Sequence, residues 1–465
     1  MEYPSLNQKS KDEVQPFRTS KNLHIEGCPF IKQGMKIIYK GVFFLLLSMN
    51  FLFANEAKKV VDITSLKGLW LTGYQAWART PNDGTNSKWQ HYFVTYHTGE
   101  RVWVVDGLPD TSEFKDEDKE LVDDVFDGDG NPVYLVSAIN PNVIDTHFKW
   151  MRDYDIDGVW LQRFLMSSLG QEGEKTFSER NKIMDEVVKA SKKYGRGWAI
   201  NFDLVDIPAE KLVDEIKKEW IRMVDLGYTT LENRYIHHNG LPVVHLWNVT
   251  YPDDVELRSK SNPQIAEELL EFFNTKGKYQ AFFVAGTNWT WTREVNIEKW
   301  EYFYEEIKCV VSWNVGNALP DKNDPNKFVA YTGIWKDAER ISKQKDILWI
   351  PTIYPSFSWQ NMNVNRTEAW AKARKGRRQG EFLWEQLYAL NEVNADSVFL
   401  AMWDELDEWT AFFKVLPNPP EEGNFLGTEG MPSDWSLQLV REARRIMRSN
   451  EPFPKTIPSK LIKKK

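Results

Sequence analysis

Residues 397–410 read Ser397-Val-Phe-Leu-Ala-Met-Trp403 and then Asp404-Glu405-Leu406-Asp407-Glu408-Trp409-Thr410. The first seven form an apolar run of strand length, too short for a helix. The acids follow it at once, four carboxylates within five residues. Working upstream, the same unit recurs. Short apolar runs at Leu69–Ala76, Gly158–Arg163, Gly197–Asp203, Val243–Asn248, Gln280–Gly286, Val310–Val315 and Leu348–Tyr354 read as seven further strands. Longer amphipathic segments alternate with them, at about 142–154, 177–194, 209–226, 262–276, 297–307, 335–345 and 377–393, with an eighth at 433–448. Asn142 and Ser178 are candidate helix caps, and Pro208 and Pro263 suit a first helical turn. Eight strands in strict alternation with helices predict a single parallel (β/α)8 barrel. An open doubly wound sheet is the alternative, but no Gly-rich phosphate loop follows the first strand.

A long insertion follows strand one. Residues 78–140 are rich in Gly, Asp and aromatics and are expected to hold a small β unit. Within it, Asp127-Gly-Asp-Gly-Asn131 hints at a calcium loop. Pro132 and Ala138 stand where such a loop needs Gly and Glu, so a tight turn is the better reading. Asn239-Gly240 predicts a hairpin turn before strand four.

The N-terminus reads as an address. Residues 41–54 form a fourteen-residue apolar run behind Lys36 and Lys40, short for a membrane span but suited to a signal peptide cleaved after Ala54. Met35 is the expected start of that unit, with residues 1–34 as upstream sequence, 35–54 as signal, 55–452 as the barrel domain and 453–465 as a basic tail. An uncleaved membrane anchor is the alternative. The expected destination is the periplasm or exterior of a bacterium, with no membrane span after cleavage.

The chain of 465 residues has formal charge −8. Residues 1–54 carry seven Lys or Arg against four Asp or Glu, and residues 455–465 carry five Lys and no acid, so the body between them stands at −16. That argues against nucleic acid as a partner. Cys28 and Cys309 are the only cysteines, which excludes a disulfide framework and a thiolate metal site. No His-x-His or His-Glu-x-x-His occurs, His237 and His238 are adjacent and point apart on a strand, and no metal or other cofactor is expected. Gly-x-Ser-x-Gly is also absent. Tryptophan is the outlier, at 21 residues, with 14% of the chain aromatic. Packing absorbs many of these, and flat apolar sugar faces are the other natural partner of an indole.

In a parallel barrel, chemistry sits at the C-terminal ends of strands. That rule nominates Tyr74, Gln75, Trp77, Arg79, Gln162, Arg163, Asp203, Asp206, Trp247, Asn248, Asn288, Trp289 and Trp291. It also nominates Trp313, Asn314, Tyr354, Phe357, Trp359, Asn361 and the acidic stretch 404–408. Carboxylates, amides and indoles are the inventory for a neutral polyol. Glu405 and Glu408, three apart, face one side of a turn. Paired carboxylates raise each other's pKa, which splits them into acid and base as glycoside hydrolysis requires. An acidic helix start is the plainer reading of the same spacing. Asp203 is read either as a hydroxyl ligand or as an interior carboxylate paired with Arg163, and Arg163 either as that partner or as the seat of an acidic sugar. Trp77, Trp289, Trp313 and Trp359 are the candidates for sugar stacking, whereas Trp150, Trp198, Trp220 and Trp384 are assigned to the core.

These residues carry a resemblance. Asp404-Glu405-Leu406-Asp407-Glu408-Trp409-Thr410 resembles the Asn-Glu-Trp-x-Glu-Gly-Thr stretch that ends strand eight in glycoside hydrolase family 99, the endo-α-mannosidases, relatives of the family 71 α-1,3-glucanases. Gly73-Tyr-Gln-Ala-Trp77, Asp157-Gly-Val-Trp-Leu161 and Asn239-Gly-Leu-Pro-Val-Val244 are similar to that family's first strand, second strand and lead into strand four. The likeness spans about residues 68–410 and extends to uncharacterised bacterial relatives, some labelled xylosidase or arabinosidase. It implies Glu405 as base and Glu408 as acid, with the sugar's own 2-hydroxyl displacing the leaving group and water opening the resulting anhydro sugar with net retention. For a sugar with cis 1,2-oxygens, Glu405 acts instead as a direct nucleophile or as a base on water. Tyr74, Trp77, Arg163, Asp203, Asn248, Trp289, Trp313, Trp359, Asp404 and Asp407 are the expected substrate contacts. Two classes stay open: a retaining glycosidase acting on an oligo- or polysaccharide, and a non-catalytic sugar-binding barrel. A glycosyl transferase would need a nucleotide-sugar site that the sequence lacks.

Overall fold

The computed structural model describes residues 60–165, 171–204, 209–250, 263–322, 324, 327–368, 374–449 and 451–462. The expected signal segment, residues 1–34, Asp206, Pro208 and Lys463–Lys465 lie outside the described residues.

Eight strands form one closed parallel barrel: β1 (Trp70–Tyr74), β2 (Gly158–Phe164), β3 (Gly197–Asp203), β4 (Leu241–Thr250), β5 (Phe282–Asn288), β6 (Cys309–Trp313), β7 (Leu348–Ile353) and β8 (Val398–Leu400). Each pairs with its neighbours in chain order, and β8 returns to β1 with Trp70 opposite Val398. A helix follows every strand: α1 (Pro141–Asp153), α2 (Gln171–Tyr194), α3 (Ala209–Asp225), α4 (Pro263–Asn274), α5 (Glu301–Glu306), α6 (Trp335–Lys345), α7 (Glu381–Glu392) and α8 (Trp435–Ser449). Strands covered on both faces need apolar residues throughout. Accordingly Gly197-Trp-Ala-Ile-Asn-Phe-Asp203 is buried at all seven positions. Two glycines let neighbouring strands approach at the barrel's lower rim. A Cβ on Gly158 would lie 1.9 Å from the Gly197 carbonyl oxygen. Trp150, Trp198, Trp220 and Trp384 are all buried. No helix among the described residues is long and apolar enough to cross a membrane.

Local details differ from expectation. Asn140, not Asn142, caps α1, its side chain accepting from the Asn142 N–H at 2.9 Å with Pro141 at the first helical position. Ser178 lies inside α2 rather than at its start. The strand expected over 397–403 keeps ladder geometry only for Val398–Leu400. Beyond it, Ala401 and Trp403 still donate to the ends of β7 and β1, at Ile353 O and Gly73 O, while Met402 turns away to pair with Thr410.

The insertion after β1 holds two hairpins, Phe93–Thr95 with Arg101–Trp103 and Lys119–Phe126 with Pro132–Val136. Asp127–Asn131 joins the second pair as a tight turn, Asp127 Oδ1 accepting from the Asp129 and Asn131 N–H groups at 2.9 and 2.8 Å. Asn239 and Gly240, both with positive φ, turn the chain from His237–His238 into β4. The insertion also supports the loop after β8 through backbone hydrogen bonds. The Asp106 N–H donates to Leu406 O, and the Leu416 N–H donates to Leu108 O.

Candidate active site

A cavity of about 720 Å³ opens at the C-terminal end of the barrel. That is within the range of small-molecule sites, ~300–1,000 Å³. All eight strand ends supply its wall: Gln75 and Trp77 after β1, Gln162 and Phe164 from β2, Asn201 and Asp203 from β3, and Trp247 from β4. Asn288 and Trp289 come from β5, Trp313 and Asn317 from β6, Phe357, Trp359 and Lys375 from beyond β7, and Met402, Glu405 and Glu408 from beyond β8.

The two glutamates sit on a closed turn. The Thr410 N–H donates to Glu405 O at 3.1 Å, the Met402 N–H to Thr410 O at 3.2 Å, and the Phe412 N–H to Met402 O at 2.9 Å. The segment from Met402 to Phe412 therefore doubles back on itself, and both glutamates reach the cavity. The carboxylate of Glu405 is buried and held at both oxygens. Gln75 Nε2 donates to Oε1 at 2.7 Å, and Thr410 Oγ1 donates to Oε2 at 2.8 Å. Burial first, then the charges of Glu408 and Asp407, push this carboxyl well above the ordinary glutamate range. The two hydrogen bonds oppose that shift by favouring the ionised form, and burial outweighs them.

Asp404 works one step back. It is not on the cavity wall; its two oxygens accept from the Gln75 and Ala76 N–H groups at 2.9 and 2.7 Å, which pins the end of β1 to the end of β8. Burial raises its pKa to about 6. Asp407 Oδ2 lies 3.3 Å from His91 Nδ1, and the His91 ring packs on Trp77 with centroids 4.8 Å apart. Both aspartates thus flank the glutamate pair rather than face the hollow.

Of the other expected contacts, Trp77, Asp203, Trp289, Trp313 and Trp359 line the cavity. Tyr74, Arg163 and Asn248 do not. Tyr74 is buried with its hydroxyl 3.0 Å from His147 Nδ1, on the side facing α1. Arg163 forms a buried ion pair with Glu219 of α3 at 2.8 Å and donates to Asn181 Oδ1. The expected pairing of Arg163 with Asp203 is therefore wrong: Asp203 accepts from Gln162 Nε2 at 2.8 Å. The reason is strand parity. Alternate side chains face opposite sides, so Gln162 and Phe164 look inward and Arg163 looks out. Asn248 lies in a bulge. Leu246 pairs with Ala285 and Thr250 with Thr287, leaving three residues of β4 opposite Gly286 alone. Asn248 has φ +70, and the bulge aims Trp247 at the cavity. A Cβ on Gly286 would lie 2.7 Å from Trp247 Cα, so the bulge depends on that glycine. Arg79, Trp291, Asn314, Tyr354 and Asn361 are likewise absent from the wall.

Three polar wall residues escaped the sequence reading. Asn201 sits two residues before Asp203 and follows from the same parity rule. Asn317 and Lys375 come from loops, where no periodicity points to them.

No family model matches the chain, and no curated protein matches it. Among solved structures, the chain is similar to the GH99 endo-α-mannosidase from Bacteroides thetaiotaomicron, with TM-score 0.57 and 14% identity over 83% of this chain and 100% of that one. The structure of the same organism's enzyme in complex with bis-tris-propane gives TM-score 0.55 and 12% identity over 83% and 99%. The family-99 resemblance carried by the strand-eight glutamates is thus met by a shared (β/α)8 barrel that spans the full length of those proteins.

Proposed function

We propose that this chain is an exported glycoside hydrolase that cleaves a glycosidic bond of an oligo- or polysaccharide. The observation that carries the reading is the buried, proton-affine Glu405 beside Glu408 in one indole-walled cavity. Such a pair holds one proton between its members near neutral pH, because two close carboxylates resist ionising together. Burial rests that proton on Glu405 in the free site, so catalysis requires it to pass to Glu408, which gives it to the leaving-group oxygen and leaves Glu405 ionised to act as base. Glu405, oriented by Gln75 and Thr410, takes the proton of the sugar's 2-hydroxyl, or attacks directly where the 2-oxygen is cis to the leaving group. Either route retains configuration. The tryptophans stack on the pyranose faces, and Asp203, Gln162, Asn201 and Asn288 bond its hydroxyls. The solved neighbours' names make α-mannans the first glycans to try. The apolar run 41–54 directs export and is removed.

The test uses α-mannan, α-glucan, xylan, arabinan and sulfated algal glycans, with products separated by chromatography. Glu405→Gln and Glu408→Gln should each lower kcat/KM by ~10²–10⁴, the usual scale for a lost proton-transfer group, while thermal unfolding stays at the parental temperature or above. The first-formed anomer, read by proton NMR, should keep the substrate's configuration. Cleavage at the parental rate in both variants would overturn the proposal. So would a parental chain that binds these glycans and cleaves none.

A further inference from the structure

The cavity wall is acidic beyond β8 and aromatic around most of its remainder. Against that background it carries one cation among its described residues, Lys375. This lysine follows β7 in a two-residue strand, Arg374–Lys375, that pairs antiparallel with Phe357–Ser358, and Lys375 lies opposite Phe357. Residues directly opposite in such a ladder share a face. The lysine therefore rises beside the Phe357 ring, which also lines the cavity. Its ammonium is 4.8 Å from the Phe328 centroid and 5.9 Å from the Phe357 centroid. Phe328 belongs to a second hairpin, Ala318–Pro320 with Phe328–Ala330, beyond β6. Two loops thus cradle one charge between aromatic faces.

Those faces attract a cation but do not neutralise it. Arginines elsewhere in the barrel are served differently. Arg163 has Glu219, Arg180 donates to the carbonyls of Gln75 and Ala76, and Arg377 donates to Ser436 Oγ and the Ala411 carbonyl. Lys375 has no carboxylate partner among the described residues, and partial burial lowers its pKa from the ordinary 10.5. A half-buried charge without a counter-ion is costly, and the ligand that offsets the cost is an anion. Neutral hydroxyls do not call for a lysine here, since amides and Asp203 already serve them on the same wall.

The lysine has its own seat. The Ser358 N–H donates to Glu408 O at 2.9 Å, so the Phe357–Ser358 strand lies between Lys375 and the glutamate turn. Two interstrand spacings put ~10 Å between the lysine backbone and that of Glu408. An anion at Lys375 and a bond at the glutamates can therefore be held together without sharing a position.

We propose that Lys375 selects the substrate: it binds an anionic substituent of the glycan, a sulfate ester or a uronate carboxylate, in a subsite walled by Phe328 and Phe357. The assignment rests on the reading of the cavity as a glycosidase site and adds the substrate's charge to it.

Two matched series test it. One is sulfated α-mannan oligosaccharide against its chemically desulfated form. The other is glucuronoxylan oligosaccharide against its carboxyl-reduced form. Binding is measured by calorimetry with full-length Glu408→Gln protein, so that nothing is cleaved. The charged member of one series should bind about tenfold tighter than its neutral counterpart, the scale of one charge-assisted hydrogen bond. Which series responds separates sulfate from carboxylate. Adding Lys375→Met, which keeps the stem that packs on the rings, should abolish the advantage, and Lys375→Arg should retain most of it. Melting temperatures check that all three variants fold. Equal binding of charged and neutral members in both series, or an advantage that survives Lys375→Met, would overturn the proposal. Cleavage of neutral glycans by the parental chain, seen with either result, leaves the glutamate pair standing. Absence of both binding and cleavage across all four oligosaccharides would remove this proposal together with that reading.

Discussion

At the scale of single residues, the site is a chain of positioning contacts that ends on one carboxylate. Asp404 holds the backbone of Gln75, and Gln75 holds Glu405. Asp404→Asn keeps one acceptor oxygen but sets an amide N–H₂ against the second backbone donor. That loss should cost roughly 1–3 kcal/mol, and the slackened Gln75 should lower kcat more than it changes KM. The pH dependence has a definite sign. Asp404 has an ordinary pKa of 3.8 and a folded value of about 6. A group raised on folding contributes stability that is fully present below its unfolded pKa and is lost as pH rises through its folded one. The parental protein should therefore lose stability between about pH 4 and pH 6 relative to Asp404→Asn. Parallel pH–melting curves for the two proteins would refute this. Strand parity explains why Tyr74 and Arg163 miss the cavity. They end their strands facing outward, whereas Gln75 and Gln162, one position away, face in. The alternation was readable in the sequence, but its phase was set only once β1 and β2 had neighbours.

At the scale of the element, the turn after β8 is built around Trp409. This residue has φ +55, the left-handed region that favours glycine, at the position where the family-99 stretch has glycine. A non-glycine residue there costs roughly 1–2 kcal/mol. Burial of the indole opposes that cost. Trp409 is 1% exposed, the Arg377 guanidinium lies 4.4 Å over its ring, and Ser356 Oγ donates to its carbonyl at 2.6 Å. Gly107 of the insertion lies flat against the same ring, since a Cβ there would be 1.7 Å from Trp409 Cζ3. Removing a buried aromatic side chain costs ~3–5 kcal/mol, which exceeds the strain. Trp409→Gly should therefore destabilise the protein by roughly 1–4 kcal/mol, despite restoring the residue the backbone prefers, and should lower kcat by loosening Glu408. Urea unfolding reads the first effect, and a stabilised variant would show that strain dominates.

At the scale of the whole molecule, the barrel separates stability from chemistry. Far from the cavity, Arg444 of α8 pairs with Asp157 at 2.7 Å, with both side chains buried. The same Asp157 oxygen accepts from the Trp70 N–H at 2.8 Å, and Arg444 also donates to the carbonyls of Asp155 and Gly68. The last barrel helix thus ties down the N-terminal ends of β1 and β2, next to the β8–β1 seam that closes the ring. Arg444→Met strands the Asp157 carboxylate in the interior, and breaking such a pair costs ~3–5 kcal/mol. The unfolding midpoint in urea should fall accordingly, while kcat per folded molecule holds, because this pair is at the barrel end remote from the glutamates. A loss below ~1 kcal/mol would show that this pair does not hold the lower end of the barrel together.

The sequence by itself pointed to the barrel, because eight apolar strands alternating with eight one-sided helices are local patterns, and the lack of a Gly-rich loop after the first strand disfavoured the open sheet. It also placed Glu405 and Glu408 at the end of β8, since an apolar run that stops at carboxylates marks its own boundary. Tertiary structure alone decided which strand-end side chains enter the cavity. It paired Arg163 with Glu219 rather than Asp203, lifted the proton affinity of Glu405, and brought Lys375 from a loop to the wall. Each of these depends on which chemically distant segment lies within a few ångströms. Burial and Coulomb interactions act over that distance whatever the separation along the chain.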